Sequence, residues 1–133
     1  KLPYLSDKAF FIKHGYEVCD ACAPNIELLV KRFRQDAPLP RFKACASAGL
    51  GDDVKGIDIF YTVQCPFTMP YIKLLEPVIQ AASVPVRVHP ITTREMAREH
   101  RAPHTTYCVF VDGKFYTREV LTPAKLQKLL EKQ

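Results

Sequence analysis

The residues of this chain that are best suited to chemistry are Cys65-Pro66-Phe67-Thr68, which follow an apolar run at 57–63. The run predicts a β-strand, and the spacing of apolar residues at 71–82 predicts a helix. A cysteine at the start of a helix lies near unpaired backbone N–H groups, which lower the thiol pKa below about 8.5. Cys65 is therefore a candidate nucleophile or thiol ligand, and the Thr68 hydroxyl could hydrogen-bond its sulfur.

The motif contains a single cysteine, because Thr68 occupies the position from which a second cysteine would close a disulfide. An exchange between two neighbouring thiols is therefore excluded. As a thiolate, Cys65 could attack an external disulfide, accept an acyl group or bind a soft metal. The alternative, which stays open, is that Cys65 is inert in a domain that only docks a partner.

The sequence around this motif predicts a complete α/β unit over residues 56–133. Further strands are predicted at 84–88, 107–111 and 114–117, the last two joined by the hairpin turn Asp112-Gly113. Thr92 and Glu95 have the spacing of a capping box that opens a short helix. Thr122 and Pro123 are suited to begin the last helix. The predicted order is β-α-β-α-β-β-α, with the first two strands parallel and the last two an antiparallel pair.

Residues 1–34 predict one helix, with Ser6 as its N-cap, and one β-hairpin with strands at 16–19 and 26–33. These elements are too few to form an independent core. Residues 35–55 are rich in Pro and Gly and lack a sustained period, so we expect a linker there. The chain begins with Lys1, and we expect it to be part of a longer protein.

Cys19 and Cys22 form a lone Cys-x-x-Cys, with Cys19 at the end of the predicted strand at 16–19 and Cys22 in the predicted hairpin turn at 20–25. Such a pair can be half of a zinc site or a redox pair. No second pair follows at a suitable spacing, and Cys45 alone does not complete four ligands. We therefore expect structural or incidental cysteines and no metal, with Cys19 and Cys22 as the weak metal candidates.

The first predicted helix and strand resemble a known family. The run Phe10-Phe11-Ile12-Lys13-His14-Gly15-Tyr16-Glu17-Val18 is similar to the last helix and the following strand of GNAT N-acetyltransferases. The resemblance implies that residues 1–34 are the C-terminal remnant of a domain that transfers an acetyl group from acetyl-CoA to an amine. The family's glycine-rich cofactor loop is absent here, and Phe11 stands at the position of its general-acid Tyr. No residue of this chain is therefore expected to bind acetyl-CoA.

A second resemblance covers residues 56–133. It is carried by the runs Tyr61-Thr62-Val63-Gln64-Cys65-Pro66-Phe67-Thr68, Thr105-Thr106-Tyr107 and Asp112-Gly113-Lys114-Phe115, which resemble the YoaP-like domain. That domain follows a GNAT domain in the same polypeptide and has a thioredoxin-like fold. The resemblance implies a thioredoxin- or glutaredoxin-like fold, in which a cis-proline usually faces the reactive cysteine. Either Pro103 or Thr105 could take that place beside Cys65, and His104 would be a neighbour. His104 could act there as a base or a cation, or it could be merely solvated.

Composition narrows the function further. The formal charge of +5 is spread evenly, which argues against a nucleic-acid partner, and no apolar run is long enough to cross a membrane. An odd number of cysteines without a secreted-scaffold pattern favours free thiols in the cytoplasm. We expect a small amine or thiol substrate and the preceding part of the same protein as partners. Three functions stay open: part of an acetyltransferase with an accessory domain, a monothiol-transfer module using Cys65, or a non-catalytic interaction domain.

Overall fold

The computed structural model of the protein describes residues 7–22 and 25–133. It divides the chain into two compact units, Lys1–Ala48 and Gly49–Gln133, called here the first and second units.

The first unit contains a short helix, a two-stranded sheet and a second short helix. In chain order these are α1 (Lys8–Lys13), β1 (Glu17–Cys22), β2 (Ile26–Val30) and α2 (Ala44–Ala48), with β1 and β2 antiparallel. Asp7 caps α1 by accepting a hydrogen bond from the Phe10 N–H at 3.3 Å. Ser6, the cap predicted from the sequence, lies outside the described residues. The short helix α2 was not expected within the predicted linker.

Both cysteines of the Cys-x-x-Cys pair lie in strand β1, so the predicted place of Cys22 in a turn is wrong. A register shift between Val18 and Asp20 inserts an extra residue into the strand, which lets β1 continue to Cys22. Asp20 does not begin a turn, because its carboxylate accepts a hydrogen bond from the Phe42 N–H at 2.8 Å. Residues 23 and 24 of the predicted turn lie outside the described residues.

The second unit is a mixed α/β fold whose elements follow the predicted order. They are β3 (Ile57–Tyr61), α3 (Thr68–Gln80), β4 (Val86–Pro90), α4 (Arg94–Glu99), β5 (Tyr107–Val111), β6 (Lys114–Thr117) and α5 (Pro123–Leu130). The four strands form one sheet in the order β4-β3-β5-β6. Strands β3 and β4 are parallel, and the other neighbours are antiparallel.

Two helices start at residues other than those predicted. Helix α3 begins at Thr68, and Pro70 is tolerated in its first turn because a backbone N–H there has no intrahelical partner anyway. The helix continues through Pro77. Helix α4 is capped by Thr93, which accepts from the Met96 N–H at 3.1 Å, so the capping box predicted from Thr92 does not form. In the part of the chain that the structure describes, no helix is both long and apolar enough to cross a membrane.

The hydrophobic core lies between one face of this sheet and two helices. Alternate residues of β3 point into it, and they pack with residues of α3, β5 and α5; the fully buried members are Ile57, Ile59, Leu75, Val109 and Leu126. Burying one such side chain contributes about 1.5–3 kcal/mol. The core therefore fixes the end of β3 and the start of α3, between which Cys65 lies.

The predicted Asp112-Gly113 turn is present, with φ of 48° and 72° at its two central residues. Positive φ at both positions matches the type I′ turn that joins two-residue hairpins. Beside it, Leu50 forms a bridge to Lys114, and the Phe115 N–H donates to the Gly49 carbonyl at 2.7 Å. Part of the predicted linker thus pairs with the outer edge of β6.

Candidate functional site

The Cys65 turn connects the end of β3 to the start of α3. The Thr68 N–H donates to the Cys65 carbonyl at 3.1 Å, so the turn runs directly into the helix. Phe67 is the N-cap residue, and its side chain does not cap the helix. Cys65 is half-buried and lies two residues before that cap, beside the helix start as predicted from the sequence.

Hydrogen-bond donors around the Cys65 sulfur favour its ionised form. The backbone N–H of Phe67 makes the largest contribution to lowering the Cys65 pKa, followed by the Thr68 hydroxyl. Partial burial acts in the opposite direction and is outweighed. Cys65 is therefore more easily ionised than an ordinary thiol, which makes it a better nucleophile near neutral pH.

Thr68 places a hydroxyl in a fully buried position next to this thiol. The residue is 0% exposed, and its hydroxyl makes no hydrogen bond of standard geometry with any residue that the structure describes. Its effect on Cys65 is that of a nearby dipole that can become a full hydrogen bond when the sulfur is a thiolate. Because an unpaired buried hydroxyl is costly, the site gains when a negative sulfur or a ligand accepts from it.

The four residues predicted for the site line one cavity of about 330 Å³. Cys65 and Thr68 come from the turn and helix α3, and His104 and Thr105 come from the loop before β5. The complete lining is Cys65, Thr68, Pro103, His104, Thr105, Thr106, Tyr107, Arg118 and Val120. The structure thus brings the candidate residues together, with both Pro103 and Thr105 at the cavity.

His104 presents a neutral imidazole to this cavity. Burial is the main cause that lowers its pKa, and the charge of Arg118 lowers it further. Its Nε2 atom is buried without a hydrogen-bond partner among the described residues. Of the two roles considered for His104, base or cation, the neutral ring fits only that of a base or hydrogen-bond partner.

Arg118 and Tyr107 are among the lining residues that were not predicted from the sequence. Arg118, which follows β6, is exposed and supplies the cationic group that His104 does not. Tyr107 is buried at the start of β5, and its hydroxyl accepts from the Leu121 N–H at 3.2 Å, which holds the segment after β6 beside the cavity. No local pattern identifies these residues, because their position depends on how β5 and β6 pair.

The arrangement combines a readily ionised thiol, a neutral acceptor and a positive charge. Val63 and Phe67, near Cys65 in the chain, are each 70% exposed. Such a site is suited to a small molecule that carries a sulfur or acyl group and an acidic group for Arg118.

The remaining cysteines lie elsewhere and are all free thiols. Cys19 and Cys22 are buried in β1, and the Cys19 thiol donates to the Leu28 carbonyl at 3.3 Å. Burial raises the pKa of Cys108 to about 12. Within residues 7–22 and 25–133, no group of three or more His, Cys, Asp or Glu side chains is arranged to hold a metal ion.

Comparison with known proteins identifies a similar family and a similar bacterial protein. The family described as YoaP-like matches residues 85–128, which include His104 and Thr105 but not Cys65. The chain is 37% identical over 130 residues to the protein named "Uncharacterized N-acetyltransferase YoaP" of Bacillus subtilis (strain 168). That match covers 98% of this chain and 51% of the relative, so the chain spans about half the relative's length. No solved structure matches the chain significantly.

Proposed function

We propose that this chain is the C-terminal part of a GNAT-family N-acetyltransferase that transfers the acetyl group of acetyl-CoA to an amine. In this proposal the second unit is an accessory thioredoxin-like domain that binds or presents the substrate. The observation that carries the proposal is the 37% identity over 130 residues to a protein named as an N-acetyltransferase. Because the match covers nearly the whole chain, both units are included in it.

The first unit supports this proposal through its uncovered apolar surface. No residue of α1 is buried, and Phe10, Ile12 and Val18 are all exposed. Two short helices and one hairpin are too few elements to bury such residues among themselves. A remnant of a larger GNAT domain is expected to have a surface of this kind, against which the preceding part of that domain would pack.

The second unit supports the thioredoxin-like assignment through its connections. A parallel β3–β4 pair joined through helix α3, followed by an antiparallel β5–β6 pair, gives the element order of that fold class. The turn after the first strand carries Cys65, where thioredoxin-like proteins carry their reactive cysteine. The cavity beside Cys65 supports a binding role for this unit.

The proposal is tested with the whole protein that contains this chain. We expect acetyl-CoA to bind, as measured by calorimetry, and a subset of an amine library to gain an acetyl group, as measured by mass spectrometry. Cys65→Ser should leave acetyl-CoA binding unchanged and raise the KM for the acceptor. Cys45→Ser, a change at another partly exposed cysteine in the first unit, should alter neither. Absence of acetyl-CoA binding would contradict the proposal.

A second candidate function, thiol transfer, is favoured by the lowered pKa of Cys65. In that reaction the Cys65 thiolate attacks a disulfide RS–SR′, forms Cys65–S–SR and releases R′S⁻. An external thiolate then attacks the mixed disulfide and frees Cys65 as a thiolate. Incubation with oxidised glutathione should add one glutathionyl group to the chain but none to Cys65→Ser; equal labelling of both would exclude this candidate.

A further inference from the structure

A second cavity, of about 290 Å³, lies on the face of the sheet opposite the hydrophobic core. Phe60 alternates along β3 with the core residues Ile59 and Tyr61, so its side chain points away from them. Phe60 forms the floor of the cavity with His89 of β4 and Phe110 of β5. The Cys65 cavity shares no lining residue with it.

His89 is held in this cavity by a buried carboxylate. Asp58, 6% exposed, accepts two hydrogen bonds from Arg87, at 2.7 and 2.6 Å, and contacts His89 Nε2 at 2.7 Å. These partners outweigh burial and lower the Asp58 pKa, so the carboxylate is ionised at neutral pH. An ionised carboxylate can only accept, so Nε2 of His89 carries the proton. In the neutral ring, Nδ1 is then the acceptor, and it has no partner among the described residues.

The rest of the cavity offers flat apolar surfaces. The rings of Phe60 and His89 stack with centroids 4.5 Å apart and planes 16° apart. Phe110 meets Phe60 edge to face at 5.8 Å. Ile91, the exposed side chain of Met96 and the ring of His100, whose centroid lies 4.8 Å from that of Phe60, also line the cavity. Such surfaces favour a planar or compact apolar group.

The charged residues at the rim of the cavity carry a net negative charge. Asp52 and Glu99 contribute two carboxylates, and Arg101 contributes one positive charge that pairs with Asp52 at 2.8 Å. Glu99 is exposed and forms no ion pair with the described residues. Together with the acceptor on His89, this balance favours a ligand with a positive charge and N–H donors over an anion.

We propose that this cavity binds a small primary amine with a flat apolar body. The apolar body packs on Phe60 and Phe110, and the ammonium group donates to His89 Nδ1 and to the Glu99 carboxylate. That this amine is the acetyl acceptor rests on the proposed acetyltransferase function. The binding itself does not depend on it.

The test uses the 133-residue chain and 2-phenylethylamine as the probe, with phenylacetate as the probe of similar shape and opposite charge. Titration is followed by calorimetry and by backbone NMR shifts. We expect saturable binding of the amine, shifts at Phe60 and Phe110, and at least tenfold weaker binding of phenylacetate, because one charge-assisted contact is worth about a factor of ten.

Two variants separate the contacts from the fold. Glu99→Gln removes the rim charge, and His89→Phe removes the acceptor but keeps a ring beside Phe60; each should weaken amine binding about tenfold. Glu95→Gln, on the same helix but outside the cavity lining, is the control and should change nothing. Thermal unfolding verifies that each variant is folded.

Equal binding of phenylacetate, unchanged affinity in both variants, shifts confined to the Cys65 cavity, or no amine binding would each overturn the proposal. The two proposals fail separately. If the whole protein acetylates amines while this chain does not bind the probe, the amine site is wrong and the proposed function stands. If the chain binds the probe while the whole protein does not bind acetyl-CoA, the proposed function is wrong and the amine site stands.

Discussion

The chemistry of Cys65 depends on two neighbours that act on its sulfur from different directions. The Phe67 N–H belongs to the backbone and is fixed by the start of α3, whereas the Thr68 hydroxyl is a side-chain group that can be removed. The hydroxyl is buried without a partner of standard geometry in the described part of the chain. A change at Thr68 should therefore alter both the pKa of Cys65 and the free energy of unfolding.

Thr68→Val should raise the Cys65 pKa toward its ordinary value of about 8.5, because one group that stabilises the thiolate is lost. The same change should not destabilise the protein, and it can stabilise it by about 1 kcal/mol, since it removes an unpaired buried hydroxyl. Iodoacetamide alkylation against pH gives the first quantity and urea unfolding gives the second. The sign follows from the lowered pKa: in the wild-type chain, reactivity appears at a lower pH than in the variant.

Cys65→Ser provides the background from the other cysteines in that experiment. A wild-type half-point at or above 8.5 would contradict an activated thiol. A large loss of stability in Thr68→Val would instead mean that the hydroxyl has a partner.

At this scale the sequence is enough to single out Cys65 and Thr68 as candidates, because both belong to a local motif between a strand and a helix. His104 and Thr105 follow only from the family resemblance, since they are far away in the chain. Arg118 and the Asp58–His89 pair have no local pattern at all. In the sequence, Asp58 is a single polar residue within an apolar strand. Its partners Arg87 and His89 can be identified only from the register in which β3 and β4 pair.

Two helices in the second unit begin with a threonine cap but differ in how they join the core. Thr122 accepts from the Lys125 N–H at 3.3 Å and opens α5, which buries Leu126 and Leu129. Thr93 opens α4, which buries no residue. Loss of a cap should therefore affect global unfolding only in α5, because α4 can fray without exposing the core.

Thr122→Ala should lower the free energy of unfolding by about 1 kcal/mol. Thr93→Ala, the matched control, should lower it by no more than a few tenths of a kcal/mol, because its loss is local. Urea denaturation of the two variants measures both values. Equal losses would mean that α4 unfolds together with the core.

Element order was predictable because strands and helices have different apolar periods, and β5 and β6 have their predicted bounds. Helix starts were less predictable. Pro70 is compatible both with a helix that begins after it and with one that contains it in the first turn. The bulge that extends β1 through Asp20 could not be predicted, since Asp commonly begins turns.

At the scale of the whole molecule, the second unit begins at Gly49, whereas the strands and helices that the sequence predicts for it lie within residues 56–133. Main-chain bonds join Gly49 and Gly51 to Phe115 and Gly113 beside β6. These bonds involve backbone atoms and leave no pattern of side chains. A boundary at residue 56, as predicted from the sequence, would remove them.

A chain of residues 49–133 should therefore be more stable than a chain of residues 56–133, by about 1–3 kcal/mol for the lost backbone pairs and the uncovered edge. Thermal and urea unfolding of the two chains provide the comparison. Glu119→Gln in the longer chain, which removes an exposed ion pair with Lys125, is a reference for a small change. Equal stability of the two chains would place the boundary at 56.

Leu50 pairs with β6 at one edge of the sheet, and the opposite edge, strand β4, is also interrupted. The Ile57 N–H donates to the Pro85 carbonyl, and the Ile91 N–H donates to the Tyr61 carbonyl. The backbone N–H and C=O groups of odd-numbered residues in and beside β4 therefore point toward β3, and those of even-numbered residues point away from it. Pro90 therefore faces outward, where it has no N–H to offer. One edge of the sheet is partly covered by residues 49–51, and the other lacks the donor at Pro90, so each edge offers a shorter template to a strand from another copy. Such interruptions act against edge-to-edge aggregation.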